Sequence, residues 1–337
     1  MDTQKTIEKP AFTQHLDLIA ERLGGKVLYA TDDFFAEKEN LIKQKEAIFI
    51  ADKYTDRGKW MDGWESRRKR TEGHDWCIVE MATAGKIHGF DIDTSFFMGN
   101  QPQFGSIEAI NLTNTEGVDW ATEQLNWTEI VPKTVLNPGS HHYVASTSDA
   151  IFTHLKLHIF PDGGVARLRA YGEVFKNWAL HDVNETIDLL AAVNGGKALL
   201  CNDMFFSHMD NLIMPNRGAN MGDGWETKRN RTPNNRDWVI LKLGHAGIVE
   251  SIVVDTCHFK GNYPDSCLIE ACFSDSDDKV VADKIAWQPL LQRQKLSADH
   301  IHIYDNDIEN IGVITHIRLS IFPDGGVSRL RLFGKTV

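Results

Sequence analysis

Thr153–Gly172 reads THLKLHIFPDGGVARLRAYG, and Thr315–Gly334 reads THIRLSIFPDGGVSRLRLFG; fourteen of the twenty positions are identical, at an offset of 162 residues. Working outward, Asp62-Gly63-Trp64-Glu65 recurs as Asp223-Gly224-Trp225-Glu226, and Asp93-Thr94 as Asp255-Thr256. Gly99-Asn100 recurs as Gly261-Asn262, and Gly24-Gly25-Lys26 as Gly195-Gly196-Lys197. A period this long marks a duplicated domain rather than a solenoid, each copy large enough for its own core. The expected domains are residues 10–175 and 183–336.

The chain has 337 residues, 42% hydrophobic and 25% charged, as in ordinary globular proteins. Its net charge of −11 argues against nucleic acid or an anionic membrane as partner. No apolar run approaches the roughly 18 residues of a membrane span. The N-terminal MDTQKTIEKPAFTQHLDL lacks the apolar core of a secretory signal. Five cysteines, an odd number, read as buried reduced thiols, so the expected location is cytoplasmic.

Each copy is expected to open with a short amphipathic helix. Phe12–Leu23 spaces Leu16, Ile19, Ala20 and Leu23 at helical intervals before Gly24-Gly25, and Thr186–Val193 does the same before Gly195-Gly196. The rest reads as β-structure. Trp76–Glu80, Ile87–Asp93, Trp238–Leu243 and Val249–Asp255 are strand-like. The quoted block reads as a hairpin: Leu155, Leu157 and Ile159 alternate with polar residues, Pro161-Asp162-Gly163-Gly164 turns, and Val165–Tyr171 returns. Short strands, frequent turns and no βαβ rhythm predict an all-β fold with one β-sandwich per copy.

Several repeated groups could carry chemistry. Asp62 with Glu65, and Asp223 with Glu226, could form acid/base pairs beside an apolar Trp64 or Trp225 wall, or cap backbone amides around a tryptophan plug. Arg68 with Arg70, and Arg229 with Arg231, share one side of an extended segment, and arginine is suited to gripping a carboxylate in two-pronged fashion. Asp93 and Asp255 enter loops bearing Asn100 and Asn262, whose amides suit a ureido partner or simply hold the loop. His154 and His316 are either catalytic or satisfied strand residues. Histidines four apart in a strand, His154 and His158, lie about 13 Å apart and do not chelate one metal. His141-His142 and His300-x-His302 also fall short of a metal signature. No phosphate loop, GxSxG nucleophile or CxxC pair is present.

The duplicated DGWE(S/T)-x-R-x-R, the Asp-Thr…Phe-x-Gly-Asn-x-Pro segment and the H-x-(K/R)-L-x-IFPDGGV-(A/S)-RLR-x-(Y/F)-G block resemble the allantoicase family over nearly the whole chain. The resemblance implies two tandem galactose-binding-like jelly-roll β-sandwiches, a homo-oligomer, and hydrolysis of allantoate to ureidoglycolate and urea in purine catabolism. Within that reading Arg70 and Arg231 face the substrate carboxylate, and Asn100 and Asn262 the ureido groups. Asp62, Glu65 or Asp93, with their second-copy partners, handle the protons. A divalent metal such as manganese assists some relatives, though no ligand set stands out here. His88 is replaced by Glu250 and Lys59 by Ala219, so the two pockets are expected either to be unequal or to complete each other at the interface. The competing expectation is a non-catalytic carbohydrate- or small-ligand-binding module that stacks sugars on loop tryptophans.

Overall fold

The computed structural model of the protein describes residues 9–122 and 124–337. Residues 1–8, part of the stretch read above as lacking a secretory signal, lie outside the described residues. Trp76–Glu80 and Ile87–Asp93 belong to one strand, Asp75–Asp93, and their counterparts to Asp237–Asp255. The first half of the long strand pairs with Lys26–Ala30 and Ile151–Phe160. Its second half pairs with Arg167–Val174 and His141–Ala145. The sheet continues from Ile151–Phe160 through Phe104–Ile110 to Thr128–Val135, and from Arg167–Val174 to Leu16–Asp17. The long strand therefore runs from one layer of a sandwich into the other.

A bulge makes this passage possible. The register skips His88 against Tyr171 and Gly172, and Glu250 against Phe333 and Gly334. One extra residue resets the in–out alternation and bends the strand. Cys77, Val79 and Ile87 are buried before the bulge, Phe90 and Ile92 after it, all in one core with Leu157, Ile107, Leu168 and Trp64. His88 and Glu250, read above as a difference between pockets, are thus the bulge residues of the two copies. The second unit repeats the whole strand order, and contacts divide the chain after Phe175, with the second unit spanning Lys176–Val337. The architecture is all-β: two tandem jelly-roll sandwiches.

Two local expectations need correction. Ile151–Phe160 and Arg167–Val174 do not pair as a hairpin; each pairs with a different half of the long strand, and the Pro-Asp-Gly-Gly turn crosses between layers. The expected helix over Phe12–Leu23 is two 3-10 turns, Ala11–Gln14 and Glu21–Leu23, around strand Leu16–Asp17. Leu16 and Asp17 pair with Gly172 and Tyr171 at the sheet edge, and the Leu18 amide donates to the Ala170 carbonyl, so the backbone is extended here and Leu18 and Ile19 are buried beside the sheet. Thr186–Val193 likewise holds strand Ile187–Asp188 and the start of turn Ala192–Asn194. Among the described residues the one α-helix is Asp277–Val281, capped by the Ser276 hydroxyl accepting from the Lys279 amide.

The turn glycines are required by packing. A Cβ on Gly164 would stand 1.9 Å from the buried Phe97 ring, and one on Gly326 1.9 Å from Phe259. Gly164→Ala is expected to destabilise by about 1–3 kcal/mol through overpacking. Gly99→Ala, where nothing lies within 4 Å, should change stability by less than about 0.5 kcal/mol. Denaturant unfolding midpoints of the two variants check this, and equal midpoints would contradict it.

Candidate active site

The two most similar sequence motifs meet at one sandwich rim in each copy. Trp64 and Glu65 pair with Val165 and Gly164, and Trp225 and Glu226 with Val327 and Gly326. Neighbouring strand residues point to opposite faces, so a tryptophan directed inward puts the glutamate outward. Both tryptophans are fully buried. Their indole N–H groups donate to the Asp32 and Asp203 carbonyls at 2.8 and 2.9 Å. The Gly-Asn loop is then stitched on. The Gly164 amide donates to the Asn100 carbonyl at 2.8 Å, and Asn100 Nδ2 donates to Glu65 Oε1 at 2.7 Å. In the second copy the Gly326 amide donates to the Asn262 carbonyl at 2.9 Å, and Asn262 Nδ2 to Glu226 Oε1.

Cavities open against these pairs. In the second copy a hollow of about 740 Å³ is lined by Glu226, Asn262, Arg229 and Arg231, with Phe206 and Asp324. In the first copy Glu65, Asn100 and Phe35 line two hollows. One of about 480 Å³ adds Arg68 and Asp162; the other, of about 580 Å³, adds Lys59, Phe49 and Phe96. Arg70 lies beyond Arg68 in a third hollow of about 510 Å³, with Asp32 and Asp75. Arg231 therefore shares a cavity with its carboxylate and amide, whereas Arg70 is set apart from Glu65 and Asn100. Burial pushes the Glu65 carboxyl above its ordinary value, and the Asn100 hydrogen bond acts in the opposite direction.

Other expected site residues lie elsewhere. Trp64 and Trp225 are core plugs without exposed surface and offer no platform to a ligand. Asp62 is buried: its Oδ2 accepts from Arg167 Nη2 at 2.8 Å and from the Ile48 amide at 3.0 Å. Asp223 Oδ2 accepts likewise from Arg329 Nη2 and the Ala219 amide, each at 3.0 Å. These two carboxylates hold loops and are committed to guanidinium partners. His154 pairs across the sheet with Glu80 and Ile110, six residues before Phe160 and so about 20 Å along the strand from the rim turn. It is buried, stacked on Trp120, with its pKa lowered by burial. His316, equally buried, reaches Asp277 at 3.2 Å from Nε2. Asp93, also buried, is not among the side chains lining these hollows; it accepts from the Ser95 amide and stands 3.9 Å from His141 Nε2. Asp255 instead receives Arg217, at 3.0 Å from Nε and 3.3 Å from Nη2.

Sequence reasoning noted Arg68 and Arg229 only as neighbours of Arg70 and Arg231; the hollows make them the arginines common to both rims. Lys59 was flagged by its exchange for Ala219, and it does line the first-copy cavity. Asp162 and Asp324, in the strongest repeat, also line the hollows, and their place in a Pro-Asp-Gly-Gly turn reads in the sequence only as turn chemistry.

Each copy thus carries a rim where an amide-bonded glutamate and guanidinium groups border an open hollow. The sequence profile of the allantoicase repeat matches residues 16–175 and 187–337. Probable allantoicases of Photobacterium profundum and Pseudomonas savastanoi pv. phaseolicola are 50% identical over 325 residues and 49% over 326, each match covering 96% of this chain and 97% of the relative. The crystal structure of allantoicase from Saccharomyces cerevisiae matches with a TM-score of 0.79 and 38% identity, over 95% of this chain and 93% of that one. The chain belongs to the allantoicase family, hydrolases that act on allantoate in purine catabolism.

The Glu65–Asn100 pair generates a titration prediction. Because the Asn100 N–H favours the charged carboxylate, Asn100→Ala should move the Glu65 pKa further upward. Carboxyl-carbon NMR of selectively labelled protein reads this directly; an unchanged or lower value would show that Asn100 does not tune Glu65.

Proposed function

We propose that this chain hydrolyses allantoate to ureidoglycolate and urea at the two rims, with Glu65 and Glu226 as the proton-handling groups. The observation that carries the reading is the glutamate–asparagine pair, tied by the same turn-glycine hydrogen bond in both copies, beside arginines. Allantoate presents one carboxylate and two ureido groups on a single carbon. Arg229 and Arg231 in the second copy, and Arg68 in the first, take the carboxylate in two-pronged contact. Asn100 and Asn262 keep their amide oxygens available to accept from a ureido N–H while donating to the glutamate. The glutamate removes a proton from water as the C–O bond forms; the departing nitrogen takes up that proton as the C–N bond breaks and urea leaves. At the first rim burial raises the Glu65 carboxyl, which matches it better to this exchange than an ordinary carboxylate.

Asp62, Asp223, Asp93 and Asp255 position loops in this scheme, and Arg70 extends the positive field beyond Arg68. His154 and His316 take no part. A divalent ion such as manganese would, where bound, hold carboxylate and imidazole groups in place, and the protons and hydrogen bonds above are assigned to side chains. The protein acts on its small-molecule substrate in the cytoplasm as a homo-oligomer, without a nucleic-acid or membrane partner. Among the described residues no helix is long and apolar enough to cross a membrane. The carbohydrate-binding alternative places sugars on loop tryptophans, and the fully buried Trp64 and Trp225 offer none of that stacking surface.

Urea release from allantoate by Glu65→Gln, Glu226→Gln and the double variant tests the assignment. Each isosteric change should silence its own rim by about 10²–10⁴-fold, leaving the other, and the double variant should lose nearly all turnover. A folded double variant with wild-type turnover would refute it.

A further inference from the structure

The two copies also differ at the end of the long strand, in residues that line none of the hollows described above. In the first copy Asp91 and Asp93 lie two residues apart, opposite Tyr143 and His141 in the ladder, so all four side chains share one face. In the second copy the corresponding positions are Val253, Asp255, Ile303 and Ile301. One aspartate is common to both. Asp255 is neutralised by the two-pronged Arg217 from the preceding loop. That loop in the first copy brings Glu46 instead, and among the described residues Asp93 is met by the Ser95 amide and His141 rather than by an arginine.

The result is an accumulation of negative charge where its twin has a cation. Asp93 is 1% exposed and Asp91 5% exposed, and Asp91 Oδ1 is buried without any hydrogen-bond partner. The neighbouring ladder arginines do not relieve this. Arg167 is spent on Asp62 and the Lys45 carbonyl, and Arg169 on Asp17 and the Lys43 and Gln44 carbonyls. Arg329 is similarly spent on Asp223, yet Asp255 still takes Arg217. His141 is turned by a 2.8 Å bond from Nδ1 to Asp91 Oδ2, which leaves Nε2 facing Asp93 Oδ1. Ligand atoms of Glu46, Asp93 and His141 all lie within 4.8 Å of one another, and Glu46 is exposed, so the cluster opens to solvent. A histidine oriented by a carboxylate behind it is the usual setting of a metal-bound imidazole.

We propose that the first copy binds one divalent first-row metal ion through Glu46, Asp93 and His141 Nε2, with Asp91 as the group that orients His141, and that the second copy fills the same place with Arg217. Two carboxylates and one imidazole suit manganese or zinc, with water completing the shell. The ion ties the Glu46 loop to the sheet as Arg217 ties its loop in the second copy. This site is independent of the allantoate assignment, because none of its three ligands lines a hollow with Glu65 or Glu226.

Protein stripped with a chelator and titrated with Mn²⁺, followed by electron paramagnetic resonance of the free ion and by thermal unfolding, tests the proposal. One ion per chain and a raised Tm are expected. Glu46→Gln, an exposed and structurally mild change, and His141→Gln should each weaken binding by at least about tenfold, and Asp91→Asn by about 10–100-fold as an orienting residue. Zn²⁺, followed by competition with Mn²⁺, should respond to the same variants. Absence of binding for both ions would overturn the proposal in favour of a protonated His141 shared by the carboxylates. So would two ions per chain, or one ion whose affinity survives both Glu46→Gln and His141→Gln in folded protein.

Discussion

A two-residue ladder organises each copy: Trp64-Glu65 against Gly164-Val165, and Trp225-Glu226 against Gly326-Val327. It joins the sequence's two strongest repeats, nearly a hundred residues apart, and fixes opposite fates for adjacent side chains. The tryptophan fills the sandwich end, and the glutamate is presented at the rim. Phe97 and Phe259, fully buried, press against turn glycines that have no room for a Cβ, and so bring the Asn100 and Asn262 loops within reach of the glutamates. The core and the site are therefore specified by the same few residues.

Behind the rim, buried ion pairs hold the covering loops. Arg167 with Asp62 and Arg169 with Asp17 recur as Arg329 with Asp223 and Arg331 with Asp188. Such pairs contribute little net stability compared with apolar packing, but stranding one partner costs about 3–5 kcal/mol. Each arginine also donates to loop carbonyls, so the guanidinium satisfies backbone groups that a loop lying on a sheet would otherwise leave unpaired. The Arg-Leu-Arg signature thus serves architecture, and the arginines facing solvent in the hollows come from the Arg-x-Arg run after the glutamate.

The duplication and the all-β class were legible because matched motifs and period-2 patterns are local features. The family resemblance added the jelly-roll topology and the chemistry. Pairing partners were not legible: the apparent hairpin across Pro161–Gly164 has the alternation of a hairpin, yet the long strand inserts between its arms. The Phe12–Leu23 stretch carries helical spacing, but backbone pairing to the sheet edge prevails over it. Among the proposed site residues, Glu65, Asn100 and Arg231 stood out because repetition marked them. Trp64, Asp62 and His154 were marked equally by repetition and are buried with partners inside the fold, since repetition alone does not separate a plug, a loop anchor and a ligand contact. Asp91, His141 and Tyr143 carried the converse signal, chemistry present in one copy and replaced by Val253, Ile301 and Ile303 in the other.

The central claim is that the glutamate–asparagine rim, rather than the histidines or the buried aspartates, meets the substrate. A crystal structure of the protein with a slowly hydrolysed allantoate analogue addresses it most directly. The account predicts ligand density in contact with Glu226 and Asn262, its carboxylate against Arg229 or Arg231, and matching density beside Glu65. Density seated instead at His154, or at the Asp91–His141 face with both rims bare, would contradict it.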